Sequence, residues 1–272
     1  MDVPIWVSVI IPVKDEARNI LPLADELVEA FYDLPRRWEI IWVDDGSGDG
    51  TLDLLKRLAL ADSRHRFISF DRNHGQSAAV YAGFCAARGT IIATMDGDGQ
   101  NDPADLPKLV AVISDGRADM VNGYRQRRQD NAVRKLSSKV ANAYRALMTG
   151  RTVRDSGCAT RAFHRDCVQH LPQFKGLHRF LPTLVSMRGY KVTEMPVNHR
   201  PRTRGQSKYA IFDRLWVGII DCFGVLWLRK RGFEYTIAAT GVSKAEDQPS
   251  AGREGGNEYD RAATLVPSCL PE

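Results

Sequence analysis

Residues Val7–Val13 read VSVIIPV, a short run with almost no polar position. A segment that is apolar on both faces has to be covered on both faces, as a strand inside a parallel sheet is. Residues 39–43 (EIIWV) repeat the pattern, and 67–70 and 90–95 (TIIATM) supply a third and a fourth strand. Helical stretches separate them. Residues 16–31 place Ile20, Leu23, Leu27 and Phe31 on one stripe, 52–60 are amphipathic, 76–88 form a helix of small residues, and 104–114 follow the starter Asp102-Pro103. Strands alternating with helices at this pitch predict an open α/β sheet with a mostly parallel core, whose sites lie at the carboxyl ends of its strands.

The 272 residues are 43% hydrophobic and 26% charged, enough to bury a core without disulfides or metal and unlike any fibrous or disordered class. Five cysteines with no C-x-x-C pair argue against a disulfide framework and for a reducing compartment. The amino terminus lacks a basic stretch and a small-residue cleavage site, so it reads as the first strand rather than a signal peptide. Beyond Met120-Val121, residues 122–154 are strongly basic and predicted helical in their second half. Residues 155–193 carry short helices, with a returning strand near 191–196, and 200–208 form a basic loop. The resulting division is a main domain at 1–210, an amphipathic helix at 211–233, and a tail at 234–272 whose composition predicts disorder.

The chemistry concentrates at strand ends. Met95-Asp96-Gly97-Asp98-Gly99-Gln100 sets two carboxylates two residues apart directly after a buried strand. Hard divalent cations take oxygen ligands, and Mg²⁺ typically uses one or two carboxylates plus substrate phosphates. A polar turn with a helix-capping aspartate is the bland alternative. A second acidic turn, Asp44-Asp45-Gly46-Ser47-Gly48-Asp49, follows the second strand. Its charge would repel a pyrophosphate and suits hydrogen bonding to a base or ribose, while Asp49 and Thr51 also fit a helix cap.

In order and spacing, I-I-P-V-K-D-E-A, V-D-D-G-S-x-D-G-T, R-N-x-G-Q-S-A-A (Arg72 to Ala79) and M-D-G-D-G-Q-N-D-P resemble inverting family 2 glycosyltransferases of the GT-A fold. R-D-S-G-C-A-T-R-A-F, H-R-F-L-P and R-P-R-T-R-G-Q-S-K-Y are similar to the dolichol-phosphate mannose synthase branch, the polyprenyl-phosphate glycosyltransferases. The Q-x-x-R-W motif of processive polysaccharide synthases is missing. The resemblance covers about residues 7–235. It implies a nucleotide-sugar pocket at Pro12, Lys14, Glu16, Val43 and Asp45, and a metal and donor-diphosphate site at Asp96, Gly97, Asp98 and Gln100 with Mg²⁺ or Mn²⁺ as cofactor. It also implies phosphate-binding arginines at Arg125 and, for the acceptor, Arg134. Arg202 and Lys208 fall on a loop that closes over the donor, and Asp155 is the acidic residue of the catalytic centre. Lys14 stands where an aromatic is common.

The charge pattern agrees with an anionic reaction partner. Arg125, Arg127, Arg128, Arg134, Lys135, Lys139 and Arg145 crowd one stretch, and Arg200, Arg202, Arg204 and Lys208 another. Arginine forks bind phosphate oxygens bidentately. No DNA- or RNA-binding motif accompanies them, so nucleic acid is not the expected partner. The expected reaction moves a sugar from a nucleoside diphosphate to a polyprenyl phosphate; a glycan or protein hydroxyl as acceptor, and a non-catalytic nucleotide-sugar binder, are the alternatives. Residues 215–228 (LWVGIIDCFGVLWL) are followed by Arg229-Lys230-Arg231 and are too short to span a bilayer. A core or dimer helix and an interfacial helix both fit them. A lipid acceptor favours the second, and with it a peripheral place on the cytoplasmic face of a membrane.

Overall fold

A computed structural model describes residues 4–125, 153–201 and 211–231, the last segment with side chains from Ile220 onward. The helix expected in the second half of 122–154, most of the basic loop, and the 234–272 tail lie outside the described residues, as do Arg134, Arg202 and Lys208.

Seven strands form one sheet: β1 (Val7–Val13), β2 (Trp38–Asp44), β3 (His65–Ser69), β4 (Ile91–Thr94), β5 (Met120–Arg125), β6 (Arg161–His164) and β7 (Val192–Val197), in the order β3-β2-β1-β4-β6-β5-β7. Every pairing is parallel except those of β6, which runs antiparallel between β4 and β5. Around the sheet lie α1 (Ala17–Ala30), α2 (Thr51–Ala61), α3 (Gln76–Ala86), α4 (Leu106–Ser114), α5 (Leu177–Met187) and α6 (Ile211–Arg231).

The period of two along a strand divides the core. Val9, Ile11, Ile40 and Trp42 pack to one side with Ile20, Leu23 and Leu27 of α1 and Leu109 of α4. Ile10, Ile41 and Val43 pack to the other with Val80 and Phe84 of α3 and Phe180 and Leu181 of α5. Register then sets the strand tips. Val13 pairs with Asp44 and its carbonyl accepts the Asp45 N–H at 2.9 Å, so β1 and β2 end side by side, while Thr94, the end of β4, pairs with Ile10, three residues before the tip of β1.

Three features depart from expectation. β6 is a strand that residues R-A-F-H do not announce; four residues with polar ends carry no readable period. β3 starts at His65, because its buried imidazole Nδ1 accepts the Trp42 indole N–H at 3.1 Å and draws the chain into the sheet early. Cys158, Cys167 and Cys222 are buried thiols, whereas Cys85 is disulfide-bonded.

Helix α6 divides between the two readings of its sequence. Cys222 and Val225 are buried in the core on the α3–α5 side, while Ile220, Phe223 and Trp227 are 67%, 55% and 62% exposed. Among the described residues no helix is long and apolar enough to cross a membrane.

Close packing of α3 on the sheet depends on Gly83, where a Cβ would collide with Cγ2 of the buried Ile10. Gly83→Ala should therefore lower unfolding free energy by about 1–3 kcal/mol in urea titration, the usual cost of overpacking. Unchanged stability would show that α3 does not lie against β1 at this distance.

Candidate active site

Beyond the tips of β1 and β4 lies a crevice of about 630 Å³, bordered by Pro12, Gln76, Asp96, Gly157, Arg161 and His178. Asp96 enters it directly after β4. The intervening backbone is tight: a Cβ on Gly97 would lie 2.5 Å from Val13 Cγ1, so the turn needs glycine to pass over the end of β1. The Asp96 carboxylate accepts a bond from Gln76 Nε2 at 2.7 Å. Its pKa is pushed up to about 6, by burial first and by neighbouring Asp98 second, against the pull of Arg161, Arg125 and the Gln76 bond. A carboxylate whose charge is disfavoured by burial and by a second carboxylate beside it is suited to a cation.

Among the described residues no three His, Cys, Asp or Glu side chains form a ready-made metal cluster. Asp96 and Asp98 thus fit an ion that completes its shell with substrate phosphate oxygens and water, the habit of Mg²⁺. Gln100 was expected to join them. Its backbone N–H caps Asp98 at 3.1 Å, and its side chain reaches the Arg200 carbonyl at 3.5 Å.

The facing wall is built by residues 156–159 and Arg161 of β6, with β5 beside them in the sheet. Asp155 is buried and takes a two-pronged bond from Arg125, Nε to Oδ2 at 2.6 Å and Nη2 to Oδ1 at 2.9 Å. Burial opposes the Arg125 charge, but the fork outweighs it and holds the guanidinium above its ordinary value. The resemblance implies a phosphate-binding role for Arg125; its fork holds Asp155.

The acidic turn after β2 is largely committed to the polypeptide. Asp44 accepts from the Ser47 N–H at 3.0 Å and the Ser69 hydroxyl at 2.9 Å. Asp45, also buried, accepts from the N–H groups of His74 at 2.6 Å and Gly75 at 3.0 Å, fixing the loop that carries Gln76. Asp49 accepts the Thr51 N–H at 3.0 Å at the start of α2, whose N-cap position is Gly50 rather than Asp49. Lys14 Nζ bonds the Gly46 carbonyl at 2.8 Å and so closes the same turn. The Glu16 N–H donates to the Thr51 hydroxyl at 3.0 Å, and its carboxylate accepts from Asn19 Nδ2 at 2.5 Å. The Val43 side chain is fully buried in the core, and its backbone pairs with that of Pro12, which borders the crevice.

Two residues carry more of the site than their motifs revealed. Arg161, buried on β6, donates to Asn122 Oδ1 at 2.8 Å, to the Ser156 carbonyl at 2.9 Å and to the His178 carbonyl at 2.5 Å. Gln76 holds Asp96. Both stand in quoted motifs, R-D-S-G-C-A-T-R and R-N-x-G-Q-S, where only an unusual polar residue beside a strand or at a helix start hinted at them. His178 also lines the crevice.

Residues 8–171 match glycosyl transferase family 2, and the chain belongs to that family; it is a glycosyltransferase. It is 35% identical over 227 residues to a dodecaprenyl-phosphate galacturonate synthase of Rhizobium johnstonii, covering 82% of this chain and 67% of that protein. To an undecaprenyl-phosphate 4-deoxy-4-formamido-L-arabinose transferase of Salmonella choleraesuis it is 35% identical over 238 residues, covering 86% and 72%. Among solved structures, glucosyl-3-phosphoglycerate synthase of Mycobacterium tuberculosis, crystallised with Mn²⁺, UDP-glucose and phosphoglyceric acid, superposes with a TM-score of 0.59 at 20% identity, over 82% of this chain and 79% of that one. Mannosyl-3-phosphoglycerate synthase of Rubrobacter xylanophilus gives 0.61 at 15% identity, over 88% and 79%. These likenesses establish the GT-A fold.

His178 supplies a pH test of the crevice wall. Its Nδ1 lies 2.8 Å from the Ser77 hydroxyl, which itself accepts the Gly176 N–H at 2.9 Å. Burial first, then Arg179 and Arg161, pull its pKa down to about 3 from the ordinary 6.5. Above pH 6.5 both folded and unfolded forms are neutral; below it only the unfolded chain takes the proton, so stability is lost as pH falls towards 3. Wild type should lose up to about 1.4 kcal/mol per pH unit more than His178→Gln in that window, by urea unfolding at stepped pH. Parallel curves for the two proteins would mean that the ring titrates as in water.

Proposed function

We propose that this chain transfers a sugar, with inversion at its anomeric carbon, from a nucleoside diphosphate to the phosphate of a polyprenyl phosphate. The carrying observation is the crevice where Asp96, beside Asp98, meets a wall held by Arg161 and Arg125. The relatives named for dodecaprenyl- and undecaprenyl-phosphate products support the acceptor class.

In this reading the nucleoside lies over the rim formed by Pro12, Lys14, Glu16, the Val43 backbone and Asp45. Asp45 acts by fixing the His74-Gly75 loop, and with it Gln76 and Asp96. Asp96 and Asp98, with Gln100 beside them, would hold a divalent cation, Mg²⁺ or Mn²⁺, which when bound offsets charge on the departing diphosphate. Arg134 belongs to the acceptor phosphate, and Arg202 and Lys208 to a loop closing over the donor.

A phosphate monoester has a second pKa near ~6 and is mostly dianionic at neutral pH, so it needs little help from a general base. The Arg125–Asp155 fork suits a positioning pair better than a proton acceptor, because both carboxylate oxygens already accept from the guanidinium. Helix α6 offers Ile220, Phe223 and Trp227 to the lipid headgroups, with Arg229, Lys230 and Arg231 beside them for anionic lipid.

A donor screen with a prenyl phosphate and Mg²⁺ or Mn²⁺ should give a lipid-linked sugar by mass; UDP-galacturonic acid and UDP-4-deoxy-4-formamido-L-arabinose are the first donors to try. Product formed only on free sugar or protein hydroxyls would refute the acceptor assignment. Asp155→Asn should retain at least ~10-fold more activity than Asp96→Asn. Equal total loss, with donor binding kept only in the Asp155 variant, would make Asp155 an obligate base. Wild type should sediment with anionic liposomes, and Phe223→Asp/Trp227→Asp should reduce that at least ~10-fold while leaving the fold intact; undiminished binding would remove α6 from the membrane surface.

A further inference from the structure

A second, smaller cavity of about 360 Å³ adjoins the crevice and shares His74, Ser77 and Lys175 with it. Its character is different. It runs along α3, with Ala78 and Ala82 one turn apart on the floor, Tyr81 beside them, and Phe174 and Leu177 as the opposite wall. Small side chains on α3 keep the floor low, while Ala79 and Gly83 of the same helix are buried towards the sheet. Phe174 is fixed against Phe180 of α5, ring centroids 6.2 Å apart, so that wall is part of the core rather than a loose loop.

The two cavities differ as the two parts of one amphiphile do. The crevice has the cationic Lys175, Arg161 and Arg179 on its border, and the adjoining groove is aliphatic and aromatic. Lys175 is exposed and stands where they meet. The groove also faces the flank on which α6 packs. Phe174 and Leu177 belong to the same apolar cluster as Cys222 and Val225 of α6, and Asp221 of that helix lies so close to Gly176 that a Cβ there would be 2.5 Å from its Oδ2. The groove thus opens into the crevice at His74, Ser77 and Lys175, and its Phe174–Leu177 wall shares an apolar cluster with α6.

We infer that this groove between α3 and the 173–177 segment binds the phosphate-proximal isoprene units of the acceptor, with Lys175 at the boundary between chain and headgroup. The inference rests on the acceptor reading above and deepens it by naming where the hydrocarbon goes. Burial of each added isoprene unit should then tighten binding until the groove is full.

Binding can test this without knowing the sugar. Farnesyl phosphate and dimethylallyl phosphate are titrated by calorimetry into the full chain loaded with UDP and Mn²⁺. Wild type should bind farnesyl phosphate at least ~10-fold more tightly than dimethylallyl phosphate. Ala82→Trp, which fills the floor, should abolish that difference while leaving UDP affinity and dimethylallyl phosphate affinity within about twofold. Phe174→Gln, on the opposite wall, should weaken farnesyl phosphate selectively and serves if the tryptophan disturbs folding. A benzophenone-bearing farnesyl phosphate should crosslink in wild type to peptides containing Tyr81 or Phe174. An undiminished farnesyl advantage in both variants, or crosslinks confined to other segments, would overturn the groove assignment with the acceptor reading intact. Wild type that binds UDP but neither prenyl phosphate would overturn the acceptor reading itself.

Discussion

One buried guanidinium organises the crevice. Arg161 reaches from β6 to Asn122 on β5, to the Ser156 carbonyl in the loop that carries Asp155, and to the His178 carbonyl at the start of α5. Desolvating an arginine costs several kcal/mol, and bonds of a charged donor to good acceptors must offset it. The return is geometric and electrostatic together. Three segments distant in sequence are held to one strand, and a fixed positive charge sits beneath the place where anionic groups collect. It is also one of the charges that pull against the upward shift of Asp96.

On that frame the acidic residues divide by their surroundings. Asp44, Asp45 and Asp49 spend their oxygens on N–H and hydroxyl groups of adjacent turns, and through them fix the loops that follow β2 and β3. Asp96 is held by one amide and is opposed by Asp98. Chemically identical side chains on neighbouring strand tips therefore do different work. The difference lies in their surroundings: the first three are fixed by donors of adjacent turns, whereas Asp96 faces a second carboxylate in the crevice, an arrangement a cation would relieve.

The same distinction explains what could be read in the amino-acid sequence. The buried strands β1, β2 and β4 were legible because both faces are apolar, and Asp96 and Asp98 were legible because they break such a run abruptly. Strand β7 appeared where a returning strand was expected, near 191–196. What stayed hidden depends on contacts between distant segments. Strand β6 has too few residues for a period, and Arg161 looks like any surface arginine until β6 is placed antiparallel between β4 and β5. The groove was hidden for a related reason: α3 is made of small and apolar residues nearly all round, so its pattern does not say which face the sheet covers and which stays open.

Helix α6 shows why its sequence supported two readings at once. Its inner face completes the core through Cys222 and Val225, and its outer face leaves Ile220, Phe223 and Trp227 in solvent. Asp221 fixes which side is which. Burial raises its pKa, Arg179 pulls the other way, and its Oδ2 is closed off from water with no hydrogen-bond partner among the described residues. A carboxyl group in that position is costly, and the cost would be greater in hydrocarbon, where neither Arg179 nor the amino end of α5 is at hand. The helix is thereby discouraged from leaving the protein for the bilayer. Asp221 stands beside Gly176, on the segment whose residues border both the crevice and the apolar groove.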